Sequence, residues 1–404
     1  MIRKLTLTLL ALAFCLSGCG SQVCETTLPP ETAPSVTEPS ETVPPTTLPP
    51  ETTVPPTTEP EPVLEAGPGV TADGDVLASG SVIYEDVPYM KLSEFFTGLD
   101  DASWFGSENT GYVLNREGRV FEFMPDSPDL ILDGRSVSLE TPVIVYQDAI
   151  WVPVRETCAA LGISFLEDGG ENHLYCTSVG HGWDWERGVE IPILMYHGVT
   201  DDTWGAEELF VSPEDMEAQI VWLLENGYDL ITFEDWSHLE DFDKPIMLTY
   251  DDGYADNFTD LFPILEKHQA KVTVFLITSS VNKDPRTLNT EQIRQMQESG
   301  LVSFQSHTFG HPHLSQCDTQ TLHNEMTWSK LHIARITGYE PFVLCYPYGD
   351  RSDEARTLAM EHYRFALAMN GGLCTTGDDV SQIPRYYVSR FSSMGEFKSM
   401  ARGG

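Results

Sequence analysis

Ile246-Met247-Leu248-Thr249-Tyr250-Asp251-Asp252-Gly253 reads as a buried strand that stops on two adjacent carboxylates and a turn glycine. Short apolar runs bounded by turn residues suit sheets covered on both faces. The pattern recurs through the C-terminal half. Residues 191–196, 230–233, 246–250, 272–277, 301–306, 342–346, 365–369 and 385–388 are strand candidates. Helical segments fill most intervals. One opens at Ser212-Pro213, with Asp215 three residues after the serine and proline at the first helical position, and stops at Gly227. Others cover 290–299, ending at Gly300, and 318–337, ending at Gly338. Repeated strand–helix units imply an α/β fold of parallel strands, closed as a barrel or left open. In such folds chemistry gathers at the C-terminal strand ends.

The reactive side chains do sit at those ends. Residues 246–250 run into Asp251 and Asp252, 301–306 into His307 with His311 four residues on, 342–346 into Pro347-Tyr348-Gly349, and 191–196 into His197. Two histidines and one carboxylate make an open zinc-type site with a position left for water. Such a metal lowers the pKa of water and polarises a carbonyl. A second carboxylate beside it can take the water's proton, and a further histidine can protonate a leaving amine. Alone, Asp-Asp-Gly or Pro-Tyr-Gly is a turn, and His-x-x-x-His is a surface pair; Gly310 and Pro312 argue against a regular helix there. Their joint placement at successive strand ends carries the chemical reading.

Thr249-Tyr250-Asp251-Asp252-Gly253 resembles the first motif of the polysaccharide deacetylase (NodB-like, carbohydrate esterase 4) family, and His307-Thr308-Phe309-Gly310-His311 resembles its second. The resemblance covers about half of the chain. It implies a distorted (β/α) barrel, a divalent metal of the zinc type (cobalt or nickel as alternatives) and deacetylation of N-acetylhexosamines. Position by position, it implies Asp251 as general base, Asp252, His307 and His311 as metal ligands, and the Tyr348 backbone N–H as oxyanion donor with its ring near the sugar. Two departures stand out. The arginine that often precedes the third motif's tyrosine is absent from Val343-Leu344-Cys345-Tyr346, and no late Asp-Trp or Leu-x-His motif follows. Met195-Tyr196-His197 is similar to the poly-N-acetylglucosamine deacetylase subgroup, whose motif order is permuted, so His197 is the candidate acid. Arg385 in Ile383-Pro384-Arg385 is a candidate replacement for the missing arginine beside Asp251, and His313 a substitute ligand.

Upstream, residues 67–178 form a small α+β unit with an internal repeat at an offset of 62: Val82-Ile83-Tyr84-Glu85-Asp86 aligns with Ile144-Val145-Tyr146-Gln147-Asp148. Each copy reads as two short strands around a turn, then a helix. Residues 148–162 resemble the stalk-like domain named after copper amine oxidases, although no copper constellation is present; a spacer or wall-binding role is expected. Residues 187–404 make the deacetylase domain.

Residues 1–18 read as a lipoprotein signal peptide: Arg3 and Lys4, an apolar stretch too short to span a bilayer, then Leu16-Ser17-Gly18-Cys19. The last four residues resemble a lipobox, which implies a lipid on Cys19 and an extracytoplasmic, membrane-anchored protein. The Pro/Thr/Glu-rich stretch within 19–66 cannot bury a core and reads as an extended, disordered tether, with a reach on the order of 100 Å. The chain holds 62 acidic against 23 basic residues, a net charge of −39 that disfavours nucleic acid but is compatible with a neutral glycan. No Cys-x-x-Cys pair suggests a cysteine zinc site; Cys158 with Cys176 is the one disulfide pairing considered. The sequence expectation is thus a deacetylase of N-acetylated wall or envelope polysaccharide, with an O-acetyl esterase and an inactive glycan-binding wall protein as rivals.

Overall fold

The computed structural model describes residues 64–99, 102–107, 110–115, 120–123, 127–132, 135–178 and 188–404. The expected signal peptide, Cys19 and nearly all of the tether lie outside them. Seven parallel strands build the C-terminal part: β1 (Ile193–Tyr196), β2 (Pro245–Tyr250), β3 (Val272–Leu276), β4 (Val302–Ser306), β5 (Val343–Cys345), β6 (Phe365–Leu367) and β7 (Tyr386–Tyr387). Their order is β6-β5-β4-β3-β2-β1-β7. Leu367 of β6 bridges to Ile383, and Leu194 of β1 pairs with Tyr386, so the segment 383–387 links the edge strand back to β1. The result is a distorted barrel of parallel strands.

Side-chain alternation explains its two cores. Leu194, Leu248, Val274 and Phe304 face outward beneath the helices, whereas Ile193, Met247, Phe275, Val343 and Leu367 fill the interior. Strands buried on both faces must be apolar at nearly every position. Helices α1 (Pro213–Glu225), α2 (Phe262–His268), α3 (Thr290–Glu298), α4 (Thr319–Thr337), α5 (Asp353–His362) and α6 (Met394–Met400) follow. The Ser212 hydroxyl accepts the Asp215 N–H at the start of α1, and Gly338, with φ of 83°, ends α4 in the left-handed region.

One expected strand is mostly absent. Of residues 230–233 only Leu230, in Asp229–Leu230, pairs with β2. The Thr232 N–H donates to Asp235 Oδ2 at 2.9 Å, a reciprocal cap that starts the 3₁₀ helix Phe233–Asp241 and outweighs the strand propensity of Ile231 and Phe233.

In the N-terminal unit, hairpins Ser81–Tyr84/Val87–Lys91 and Ile144–Tyr146/Ala149–Pro153 each lead into a helix, Leu92–Gly98 and Val154–Leu161. Both turns have positive φ at both central residues: Glu85 and Asp86, then Gln147 and Asp148. The hairpins pair with Met90 opposite Val152, Tyr89 opposite Pro153 and Lys91 opposite Trp151. Residues 62 positions apart therefore exchange places across a local two-fold. The Cys158 and Cys176 sulfurs are 3.6 Å apart, as buried free thiols.

This unit docks on the end of α4. Asp168, almost fully buried, holds Arg335 with both oxygens, and the Glu340 N–H donates to Thr177 Oγ1 at 2.9 Å. A Cβ on Gly338 would come within 2.6 Å of Gly74 Cα, so two glycines set the approach of the backbones.

Candidate metal centre and its surroundings

Strand β2 carries Asp251 and Asp252 to the rim, and β4 carries His307. The N–H of Asp251 donates to Tyr196 O at 2.9 Å, and that of His307 to Leu276 O at 2.9 Å, so the ladder continues into both motifs. Asp252 Oδ1 lies 3.5 Å from His307 Nε2 and 3.7 Å from His311 Nε2; the two Nε2 atoms are 3.1 Å apart. Three donor atoms thus converge on one point.

The donor chemistry fits a divalent cation. His307 Nδ1 lies 2.8 Å from the Cys345 carbonyl oxygen, which can only accept, so Nδ1 carries the proton and Nε2 presents its lone pair inward. Burial, and then the His307 ring, pull the His311 pKa down to about 4, keeping that imidazole neutral and able to ligate. Two imidazoles and a carboxylate, with the remaining side open, are the donor set of hydrolytic zinc sites.

Asp251 is 2% exposed and is clamped by Arg385, Nη1 to Oδ1 and Nη2 to Oδ2 at 2.8 Å each. Burial pushes this carboxyl up, but the Arg385 charge and hydrogen bonds outweigh it and hold it well below the usual carboxylate range. Arg385 also donates to Thr249 Oγ1 at 3.0 Å. The sequence-predicted Arg385 therefore stands beside Asp251, 134 positions away in the chain.

His197, at the end of β1, is half-buried, with its ring edge-on to Tyr387 at 6.1 Å. Burial lowers its pKa, opposed by Asp251 and Asp252. Its Nδ1 is buried and makes no hydrogen bond. Asn257 Nδ2 donates to its carbonyl at 2.9 Å and fixes the backbone. Tyr348 stacks on His313 (4.2 Å between ring centroids) and packs against His311 (4.5 Å), with 56% of its surface exposed. His313 lies outside the triad, half-exposed, with Nδ1 3.7 Å from Asp350.

Sequence reasoning missed three contributors. Cys345 Sγ sits 2.9 Å from Arg385 Nη2 and 3.4 Å from Asp251 Oδ2, while its carbonyl orients His307. Glu325 of α4 accepts the Gly310 N–H at 2.6 Å and so shapes the loop between the histidines. Asn257 is the third. Only Cys345 carried a signal, its place at the end of β5.

The sequence profile of the polysaccharide deacetylase family matches residues 239–364. YxkH of Bacillus subtilis (strain 168), assigned by its name to the polysaccharide deacetylases, is 30% identical over 210 residues, which cover 50% of this chain and 73% of that protein. The chain belongs to the polysaccharide deacetylase family. The poly-β-1,6-N-acetyl-D-glucosamine N-deacetylase of Escherichia coli (strain K12) is 24% identical over 255 residues, 50% of this chain and 37% of that one. A solved polysaccharide deacetylase from Bacillus cereus superposes with a TM-score of 0.51 at 24% identity, covering 73% of this chain and 78% of that one; at this identity the likeness speaks to the fold. Family members are metal-dependent hydrolases, and Asp252, His307 and His311 form a group that could hold a metal ion. Among the described residues no helix is long and apolar enough to cross a membrane.

Proposed function

We propose that the protein removes acetyl groups from an N-acetylated hexosamine polymer at the cell envelope. The observation that carries this is the juxtaposition of a convergent Asp252–His307–His311 triad with the clamped Asp251 and the half-buried His197. A divalent metal held by the triad, zinc by its donor set, would supply Lewis acidity. The protein's own residues do the rest. Asp251, kept ionised and aimed by Arg385, takes a proton from water as the oxygen adds to the acetyl carbon. The backbone N–H of Tyr348 donates to the oxygen that becomes negative, a term worth about 3 kcal/mol in comparable sites. His197 gives a proton to the nitrogen as the C–N bond breaks, leaving acetate and a free amine. An exposed Tyr348 ring lies against one face of the sugar.

The N-terminal sequence supports export, acylation at Cys19 and a tethered position outside the cytoplasm. The named activity of the Escherichia coli relative favours an N-acetylglucosamine polymer over an O-acetylated one. The test is acetate release from N-acetylglucosamine oligomers, with and without chelator and added zinc, beside an O-acetylated xylan. Chelator-sensitive release from the first substrate supports the reading. Release from xylan alone makes the protein an O-acetyl esterase. Failure to bind metal and to release acetate from either makes it a binding protein.

A further inference from the structure

The two oxygens of Asp251 are not equivalent. A carboxylate offers about two lone pairs on each oxygen. Among the described residues, Oδ1 accepts one hydrogen bond, from Arg385 Nη1 at 2.8 Å. Oδ2 accepts two, from Arg385 Nη2 at 2.8 Å and from the Cys345 thiol at 3.4 Å. Oδ2 is therefore filled, and one lone pair remains on Oδ1.

The neighbours of the thiol fix its direction. Cys345 is fully buried at the end of β5, with its side chain in the barrel interior. Arg385 Nη2 lies 2.9 Å from the sulfur, and a guanidinium can only donate, so the sulfur accepts there and its own proton points elsewhere. The two hydrogens of Nη2 thus serve Oδ2 and the sulfur. Two acceptors lie within reach of the S–H: Asp251 Oδ2 at 3.4 Å and Tyr346 O at 3.9 Å. The nearer one is charged, and a charged acceptor makes the stronger bond. The S–H therefore donates to Asp251. The backbone of the same residue serves the triad, since its carbonyl accepts the His307 Nδ1–H at 2.8 Å. Space at this position is tight. The Arg385 side chain is 0% exposed and lies against the sulfur, so a longer side chain at 345 would displace the guanidinium.

We propose that Cys345 is a positioning residue for the proton acceptor: its thiol fills the spare lone pair of Oδ2 and leaves Oδ1 of Asp251 as the oxygen that takes the proton from water. The inference rests on the deacetylase reading and deepens it by naming the working atom. As an O–H bond of water breaks, its proton joins Oδ1 and its oxygen adds to the acetyl carbon. Cys345 keeps its own proton throughout. Without the thiol, Asp251 presents a free lone pair on each oxygen, and only one of the two alignments is productive.

The test uses the full chain loaded with zinc. Alanine and serine leave nearly the same space at position 345, and only serine can donate, so the two variants separate the hydrogen bond from packing. Wild type, Cys345→Ala and Cys345→Ser are assayed for acetate release from N-acetylglucosamine oligomers, and bound zinc is measured in each. Cys345→Ala should lower kcat by about tenfold, with KM and zinc content unchanged within about twofold, and Cys345→Ser should recover kcat to within about threefold of wild type. Equal losses of kcat in the two variants, or no loss in Cys345→Ala, overturn the proposal and leave the deacetylase reading standing. A second readout does not depend on turnover. The S–H stretching band that Cys345→Ala deletes from the infrared spectrum should move to higher frequency in Asp251→Asn, because a neutral amide accepts more weakly than a carboxylate. An unmoved band overturns the proposal. If wild type releases no acetate, the deacetylase reading fails; a band that moves then still supports the contact with Asp251, and one that does not overturns it.

Discussion

Replacing Arg385 with methionine tests the link between the barrel interior and the proton acceptor. The Arg385 and Asp251 side chains are 0% and 3% exposed, and two 2.8 Å hydrogen bonds join them. Methionine keeps much of the volume against Phe275 but leaves Asp251 as an uncompensated buried charge. Breaking such a pair from one side costs about 3–5 kcal/mol. Asp251→Asn alone strands the Arg385 guanidinium, which still has Thr249 and Cys345 as partners, so its cost should be lower, about 2–3 kcal/mol. The double variant carries neither charge and should be less destabilised than the sum of the singles by at least about 2 kcal/mol. Urea unfolding of all four proteins at pH 7, read by tryptophan fluorescence, gives the cycle. Metal content should stay unchanged in all of them, since neither residue belongs to the triad. Additive single effects, or a loss below about 1 kcal/mol in Arg385→Met, would show that the pair is not the anchor argued above.

Three further outcomes follow from the geometry. His311→Ala and Asp252→Ala should each reduce bound zinc, measured after dialysis, by at least about tenfold while leaving the fold intact; full occupancy in either would remove that residue from the ligand set. Burial raises the Asp256 pKa to about 6, against the accepted Val199 N–H bond. Because the folded value exceeds the unfolded one, this group's contribution to stability is fully present below about pH 4 and lost as pH rises through 6. Asp256→Asn should therefore match wild type near pH 4 and exceed it by about 1–3 kcal/mol at pH 7, and a pH-independent difference would contradict this. Gly338→Ala places a Cβ 2.6 Å from Gly74 Cα at a φ of 83°, so it should cost about 2 kcal/mol or more and lower Tm; an unshifted melt would mean that the two backbones can separate freely.

The fold was legible where physics is local. Parallel strands buried on both faces must be continuous apolar runs, and seven of the eight expected stretches contain β1 to β7 at nearly the expected places. Residues 230–233 misled because a capping box at Thr232 depends on one side-chain geometry that composition does not encode. Asp251, Asp252, His307 and His311 were legible as a group because the first three follow directly on strands and His311 lies four residues after His307. Arg385 was visible only as a cation in a short apolar stretch: its approach to Asp251 arises from the return of the 383–387 segment to β1, a consequence of ring closure. Cys345 carried a signal in its place at the end of β5, but its partners did not, since they come from β2, β4 and β7.

What no pattern announces is the backbone at the site. Asp252, Thr308, His311 and Tyr348 all adopt positive φ, between 58° and 75°, although none is glycine. Each such residue costs about 1 kcal/mol or more, and persists only where its surroundings over-determine it. The surroundings are visible. Position 253, at a φ of 68° and with its Cβ position 2.6 Å from Leu276 Cδ2, favours glycine, and Gly253 holds the turn that lifts Asp252. The Thr308 hydroxyl accepts the His311 N–H at 3.0 Å, and Glu325 accepts that of Gly310, so the loop between the histidines is braced from within and from α4. Tyr348 is pinned from both sides, by the hydrogen bonds from Gly349 N–H to Tyr346 O and from Asp350 N–H to Pro347 O. Helix α4 thus braces the metal loop along its length and receives the N-terminal unit through Arg335 near its end. The strain at Asp252 and His311, two of the three candidate ligands, and at Tyr348 is therefore balanced by packing from β3, α4 and β5. That places the cost of the site in the scaffold.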